Sequence, residues 1–464
     1  MKRSQKIGLI LAIIILATMN FIPTNHMLTI GGRNSLGVLF AILILLITEP
    51  IPIGITCIFG VGLLTVFKAV PNISVALNGY TNPIVFFVLV SFGISAAITK
   101  VPLSKRLLAK IVSTFGKSVS MVLLSIMVSA AIISSIVSNV ATTAVFITVI
   151  LQFLNIYTDE SQKKQTGKSF MIGLPVASMI GGMLTPAGSS LNLMCIDLLH
   201  SLTGIRITFV QWMLCGIPIV AIVLPLAWFI IIKTHPPVEL SSEDIQKYVE
   251  TLDVPPQFSF NEIYVLSLMC IMFVLWVLSS WIPAFNITLV TIFGFTLLFL
   301  PKISILTWEE FLDSISWPAF FLVSTTVSIG NALVANGVSD WIAEALFPNA
   351  INLPIFALVF IVSIAIFIML LLIPVAPALI PMLIAPLIAL AGVANINPIF
   401  MVMTLGLCVA NCYLLPLDTV PLLTYMTGYY KIGEMAKSTG LIQLSIATVV
   451  AIWLPVALSM LGIS

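Results

Sequence analysis

Four short stretches of hydroxyl, carboxamide, glycine and proline residues interrupt long apolar runs, and each gathers groups able to hold a small ion. Ser138 to Ala144, SNVATTA, sets Ser138, Asn139, Thr142 and Thr143 in one apolar setting. Gly181 to Asn192, GGMLTPAGSSLN, breaks a helix at Pro186 and Gly188 and supplies Ser189, Ser190 and Asn192 beside freed backbone amides. Leu414 to Tyr430, LLPLDTVPLLTYMTGYY, follows 230 residues later when Pro416 is set against Pro186, and it contains Asp418 and Thr419. Ile373 to Pro381, IPVAPALIP, stands where a second half would match SNVATTA, but Ala376, Pro377 and Ala378 offer only backbone groups.

Hydroxyls and amides at the start of a half-helix suit an anion, because that end carries unpaired N–H groups and the positive pole of the helix dipole. Carbonyls freed by the same break suit a cation. A helix cap would account for one Ser-Asn pair and a kink for one proline, whereas the added threonines and the whole polar loop favour ligand sites. A carboxylate within a bilayer costs about 2.5–3.5 kcal/mol and is tolerated where it faces a cavity or a partner, so Asp418 reads as a cation ligand or proton carrier. The residues that face a substrate on this reading are Ser138, Asn139, Thr142, Ser189, Ser190 and Thr419. Those that face a cation are Asn139, Gly188, Asn192 and Asp418.

The elements that must position these groups are membrane helices. The 464 residues are 60% hydrophobic and 8% charged, with a mean hydropathy of +1.20, against a charged fraction of about 25% in soluble proteins. Runs of about 20 apolar residues recur, among them Ile7 to Ile22, Ile51 to Phe67, Phe209 to Ile232, Ile263 to Ile282 and Leu441 to Leu461. About eleven spans fit. The Ile7 to Ile22 run behind Lys2, Arg3 and Lys6 leads straight into further spans and reads as the first helix rather than a cleaved leader. The six cysteines, Cys57, Cys195, Cys215, Cys270, Cys408 and Cys412, lack metal-ligand spacing and read as packing residues. A net charge of +2 with no basic domain implies no nucleic-acid partner.

The polar stretch Lys233 to Phe260, with Glu239, Glu243, Asp244, Lys247, Glu250 and Asp253 between two proline pairs, divides the chain. The expected organisation is residues 1–35 as an N-terminal transmembrane helix and loop, 36–232 as a first repeat, 233–260 as a cytoplasmic linker and 261–464 as a second repeat. Pro83 begins an apolar run ending in SAAITKVPLSKRLLAKI, and Pro318, 235 residues later, begins one ending in GNALVANGVSDWIAEAL. The first amphipathic end holds Lys100, Lys105, Arg106 and Lys110 and the second Asp340 and Glu344, so the positive-inside rule puts them on opposite sides. The expected fold is an all-α polytopic membrane protein of about 11 transmembrane helices, with two re-entrant hairpins in an inverted-topology repeat of ion-transporter type. With the N-terminus inside, Ser118 to Ile156 as a hairpin and Leu441 to Leu461 leaving the cell membrane, only Arg33, Lys68 and Arg206 of the 19 basic residues fall outside. That count predicts a cytoplasmic N-terminus and an external C-terminus.

These segments together resemble the divalent anion:sodium symporter family, which holds bacterial dicarboxylate and sulfate carriers. TEPIPIGIT from Thr48 is similar to the family's TEAIPI stretch, SNVATTA to its first Ser-Asn-Thr motif, TPAGSSLN to its first GTPPN-type loop, and TGYYKIGEMAKSTGL from Thr427 to its C-terminal signature. Phe209, Trp212, Gly216 and Pro218 fit its F-x-x-W-x-x-x-G-x-P pattern. The resemblance covers most of the chain and implies a homodimer. Each protomer would have a scaffold and an elevator-like transport domain that binds one small anion, a di- or tricarboxylate, with sodium as coupling ion and no other cofactor. It implies that Ser138 and Asn139 meet the substrate carboxylate, that Gly188 and Asn139 help form one sodium site, and that Ser189 and Ser190 lie in the matching loop. Val140 replaces the motif's threonine, Ala376-Pro377-Ala378 replaces the second Ser-Asn-Thr, and Asp418 and Leu422 stand where the second loop has a small residue and Asn. Those departures put a second sodium site in doubt.

An exchanger or a sulfate carrier of the same fold, or an anion channel, stays open at this point. An intramembrane hydrolase would need Asp197 and Asp418, or a serine near His200, as a reacting pair. No HExxH zinc pair occurs, His26, His200 and His235 lack ligand spacing, and Gly116-Lys117-Ser118 lacks the earlier glycine of a phosphate loop, so enzyme chemistry and ATP-driven transport are not expected.

Overall fold

A chain whose side chains prefer lipid must pair its backbone N–H and C=O groups internally, and helices do this within one segment. In the computed structural model the described residues are 3–24, 26, 28–241, 243–245, 248, 255–338, 341–342, 353–373 and 375–463, and every regular element among them is helical. Asp340 and Glu344 of the second amphipathic end, Lys247, Glu250 and Asp253 of the linker, and Pro374 lie outside the described residues.

The first half runs α1 (Arg3–Thr18), α2 (Ile30–Thr48), α3 (Ile53–Val66), a short helical turn, α4 (Pro83–Lys100), α5 (Leu103–Phe115), α6 (Val119–Ser134), α7 (Asn139–Leu154), α8 (Glu160–Gly182), α9 (Ser190–Thr203) and α10 (Phe209–Thr234). After the linker come α11 (Phe260–Leu278), α12 (Ile287–Leu297), α13 (Trp308–Ser314), α14 (Trp317–Ala335), α15 (Ile355–Leu372), α16 (Ala376–Val393), α17 (Pro398–Val409), α18 (Thr419–Tyr425) and α19 (Ile432–Met460). Among the described residues, nine helices are long and apolar enough to cross a bilayer and five shorter ones are apolar.

The order recurs after α1. A long helix, a shorter one, a turn and a long helix (α2 to α4, then α11 to α14) are followed by a helical pair (α6 and α7, then α15 and α16). Next come a helix, a break and a short helix (α8 and α9, then α17 and α18), and a long closing helix (α10, then α19). Packing recurs with it: α7 lies on α8 as α16 does on α17, α9 on α17 as α18 does on α8, and α3 on α14 as α12 does on α4. The closing helices α10 and α19 pack on each other.

Buried side chains sort into a bundle and a frame. The bundle core draws on α6 to α10 and α15 to α19, with Trp212, Phe153, Phe170 and Tyr413 at its centre. The frame has two cores, one of α1 to α3 with α14, the other of α4, α11 and α12. Each half of the sequence therefore contributes to both. Outside, Ile55, Phe59, Ile271, Val274 and Phe293 are exposed, as faces turned to lipid require.

Helices α6 and α7 have 16 residues each, about 24 Å against a hydrocarbon core of about 30 Å. Both outer ends meet the same piece of linker. The Glu239 carboxylate accepts from Val119 N at 2.8 Å and Ser120 Oγ at 3.2 Å, and the Tyr157 hydroxyl donates to Val238 O. Lys100 pairs with Glu310, Arg106 with Glu262 and Lys168 with Glu434, tying α4 to α13, α5 to α11 and α8 to α19.

The linker also docks through His235, whose Nε2 lies 3.0 Å from Glu434 O. Burial holds this imidazole below its ordinary value, with Lys168 and Lys437 adding to the effect and Glu434 opposing it. A group whose folded pKa is depressed leaves the unfolded chain binding more protons, so its share of stability is present above pH 6.5 and lost as pH falls below it. The slope for one proton is at most about 1.4 kcal/mol per pH unit. His235→Gln keeps a donor for Glu434 O and is expected to flatten the fall in Tm between pH 7.5 and 5.5; parallel losses in both proteins would remove the imidazole from the account.

Candidate functional site

The first cluster forms where the α6–α7 turn meets the α8–α9 loop. Sequence alone places the first break at Ser138 to Ala144, but the chain leaves the helix earlier, over 135–138, and Asn139 to Ala144 form the first turns of α7. Ser138 is the N-cap residue, yet its hydroxyl makes no cap hydrogen bond, so simple capping does not account for it. Its own N–H reaches Ser95 Oγ on α4 at 3.4 Å. Asn139 Oδ1 accepts from Ser134 Oγ at 2.6 Å. Thr143 Oγ1 bonds Ser178 Oγ on α8 at 3.0 Å, while Thr142 Oγ1 is buried without a partner among the described residues.

The loop opposite is stitched to this turn. Thr185 Oγ1 donates to Ser135 O at 2.6 Å and accepts from Gly188 N at 3.0 Å. Asn192 Nδ2 donates to Gly182 O and Thr185 O at 2.8 and 2.9 Å, leaving its buried Oδ1 unpaired. Glycines allow the approach: a Cβ on Gly188 would lie 2.8 Å from Gly182 O and 3.0 Å from Ser135 O, and one on Gly182 would lie 2.8 Å from Asn139 Oδ1. Gly188 thus packs against two backbone oxygens, Gly182 O and Ser135 O, and the Asn139 carboxamide packs on Gly182. Ser189 caps α9 through Leu191 N, and Ser190 opens its first turn half-exposed. The N-termini of α7 and α9 therefore start beside the Ser135 and Gly182 carbonyls, a setting suited to an anion and a small cation together.

The counterpart break runs from Ala410 to Asp418. Asp418 is half-buried and caps α18, its Oδ1 accepting from Val420 N at 3.1 Å, and Thr419 next to it is exposed. Among the described residues no hydrogen bond joins Asp418 or Thr419 to the first cluster; they reach it through the packing of α18 on α7 and α8. A cavity of about 10 Å³, lined by Leu370, Cys412, Leu417 and Gln443 among others, adjoins this break. Ala376 and Ala378 open α16 buried, at 2% and 1% exposure, with no side-chain donor.

A direct link between the breaks runs through Asn411 and Gln443, which sequence reasoning missed. Asn411 Nδ2 lies 3.1 Å from Met183 Sδ and 2.9 Å from Leu407 O, Gln443 Nε2 donates to Asn411 O at 2.8 Å, and Trp212 Nε1 donates to Met183 O at 2.9 Å. Asn411 Oδ1 and the Tyr413 hydroxyl are buried and unpaired among the described residues. The available signal was a lone Asn and a lone Gln, each inside an apolar run.

Comparison with known proteins bears on this arrangement. Residues 3–462 match a family profile described as sodium:sulfate symporter transmembrane region. The chain is similar to the sodium-dependent dicarboxylate transporter SdcS of Staphylococcus saprophyticus, with 27% identity over 468 residues, covering 93% of this chain and 87% of that one. It is also similar to the putative malate transporter YflS of Bacillus subtilis, with 24% identity over 335 residues, 70% of this chain and 69% of the other. Among solved structures, Neisseria gonorrhoeae MtrF, from a class of antimetabolite efflux pumps, superposes with a TM-score of 0.56 at 12% identity over 98% of this chain and 95% of its own. The Alcanivorax borkumensis YdaH transporter gives 0.54 at 12% identity over 82% and 87%. At that identity the likeness concerns the fold.

Proposed function

Because the chain belongs to the sodium:sulfate symporter family, and is thus a multi-pass membrane transporter of anions and not an enzyme, we propose that it carries a small di- or tricarboxylate by sodium-coupled symport. The observation that carries this reading is the packing of Gly188 against Gly182 O and Ser135 O, with the Asn139 carboxamide on Gly182, at the N-termini of two half-helices. The cation sits among those oxygens. The anion's carboxylate takes the free Ser138 hydroxyl, Thr142 and the Ser189–Ser190 turn, where two helix dipoles and the cation offset its charge.

Coupling follows from that adjacency, since these oxygens without a cation repel the anion and an unpaired anion lacks its counter-charge, so each ligand raises the affinity for the other. The loaded bundle of α6 to α10 and α15 to α19 then moves against the frame as an elevator. Support comes from its own core and from the hairpin α6–α7, whose two ends meet adjacent linker residues, Glu239 and Val238, as a re-entrant segment must. The mirrored packing of the two halves agrees with an inverted repeat. A cytoplasmic N-terminus and a homodimer belong to the same reading.

Uptake by the purified protein in liposomes, crossing succinate, citrate, sulfate and a monocarboxylate with sodium, potassium and pH gradients, tests it. Saturable dicarboxylate uptake that collapses when the sodium gradient is dissipated is expected. Uptake indifferent to sodium would remove the symport mechanism, and currents far above carrier turnover would make the protein a pore.

A further inference from the structure

Asp197 stands two turns into α9, the half-helix that carries the Ser189–Asn192 loop, and the transport reading gives it no task. Its Oδ2 accepts from Asn82 Nδ2 at 2.8 Å, and Asn82 Oδ1 accepts from Ile84 N at 2.9 Å as the N-cap of α4. One side chain thus caps a frame helix and grips a bundle helix. The bond crosses between the two bodies: most buried residues of α4 lie in a frame core, whereas Met194, Cys195, Leu198 and Leu199 of α9 lie in the bundle core and only Leu193 of its buried apolar residues packs into the frame.

Among the described residues no Lys or Arg pairs with this carboxylate. The helices packed on α9 are α4, α14, α16 and α17, with the Pro186–Gly188 turn. Of these only α4 carries a charged residue, Lys100 at its far end, about 27 Å along the helix. On α9 itself the titratable neighbour is His200, one turn on, whose Nε2 accepts from Arg206 Nε at 3.1 Å. Asn82 is therefore the partner that fixes where Asp197 rests, and it does so at the seam along which the bodies must slide.

We propose that Asn82 and Asp197 are a positioning pair, a latch that holds the anion-binding half-helix against the frame in the state seen here and must open for the bundle to move. The inference rests on the moving-bundle reading, but distance measurements test it without transport. Nitroxide labels on Asn78→Cys and Ser201→Cys, with the exposed Cys270 replaced by serine, report the separation of the α4 start from the α9 end. Asn82→Ala and Asp197→Ala are expected to move the population away from the native distance by about tenfold, the loss of one charge-assisted hydrogen bond. Asn82→Asp keeps the cap oxygen but sets a carboxylate against Asp197, and should shift it at least as far with the helix start intact. Asp197→Asn keeps an acceptor and should hold the native distribution. A distribution unmoved by the alanine and Asn82→Asp variants, or displaced as much by Asp197→Asn as by alanine, overturns the latch. Absence of anion uptake by the unsubstituted protein would instead remove the carrier reading, with the distances still deciding the latch.

Discussion

Asn139→Ala is expected to lower sodium-dependent anion uptake at least 100-fold while leaving the protein folded. The Asn139 carboxamide packs on Gly182, whose carbonyl faces Gly188, and Asn139 is the first residue of α7, so on the proposed reading its removal takes a ligand from both the cation and the anion. A hydrogen bond to a charged group contributes about 1.5–3 kcal/mol, and two such losses exceed the roughly 2.7 kcal/mol that equals 100-fold in affinity. The structural loss is smaller, since only Ser134 Oγ forfeits its acceptor. Ser134→Ala separates the two roles: it orphans nothing charged and should reduce uptake only a fewfold. The measurement is initial uptake rate against sodium concentration for both variants, with sodium-induced Tm shifts as a binding readout. Retained sodium dependence in Asn139→Ala would place the cation elsewhere.

That cluster of polar groups shows what the sequence could and could not convey. The polar breaks were legible because a hydroxyl or carboxamide within an apolar run needs a reason, and Gly188, Asn192 and Asn139 each touch Gly182. The start of α7 was not, because a first helical turn and the loop before it draw on the same small polar residues; only the unused Ser138 hydroxyl tells a ligand group from a cap. Helix α19 begins nine residues before the apolar run at Leu441, since Glu434 bonds Lys431 N and pairs with Lys168 on α8, a contact across the chain. Likewise the Met183–Asn411 and Asn82–Asp197 contacts join residues 228 and 115 positions apart, and local pattern carries no signal for either. Membrane character follows from local composition, whereas the division into frame and bundle follows from pairings between halves.

Asp418→Asn carries the second large effect, because the two halves match in packing but not in chemistry. Where α7 opens with Ser138 and Asn139, α16 opens with Ala376, Pro377 and Ala378, which have no side-chain oxygens, the two alanines being buried. A cation site built like the first would there have only carbonyls. Asp418 supplies a carboxylate at the start of α18, and one oxygen already bonds Val420 N. We infer that it binds the coupling cation, or a proton, in place of the missing side chains. Asparagine keeps the cap oxygen and removes the charge, so the fold should persist while uptake falls at least tenfold and its dependence on pH or on a second cation disappears. Asp418→Ala also removes the cap, worth about 1 kcal/mol, and the difference between the variants isolates the charge. The readouts are uptake rate from pH 5.5 to 8.5 and the Hill slope for sodium. An asparagine variant with the parent's rate, slope and pH profile would make Asp418 a helix cap and nothing more, and the second half would then have to hold any cation through backbone oxygens alone.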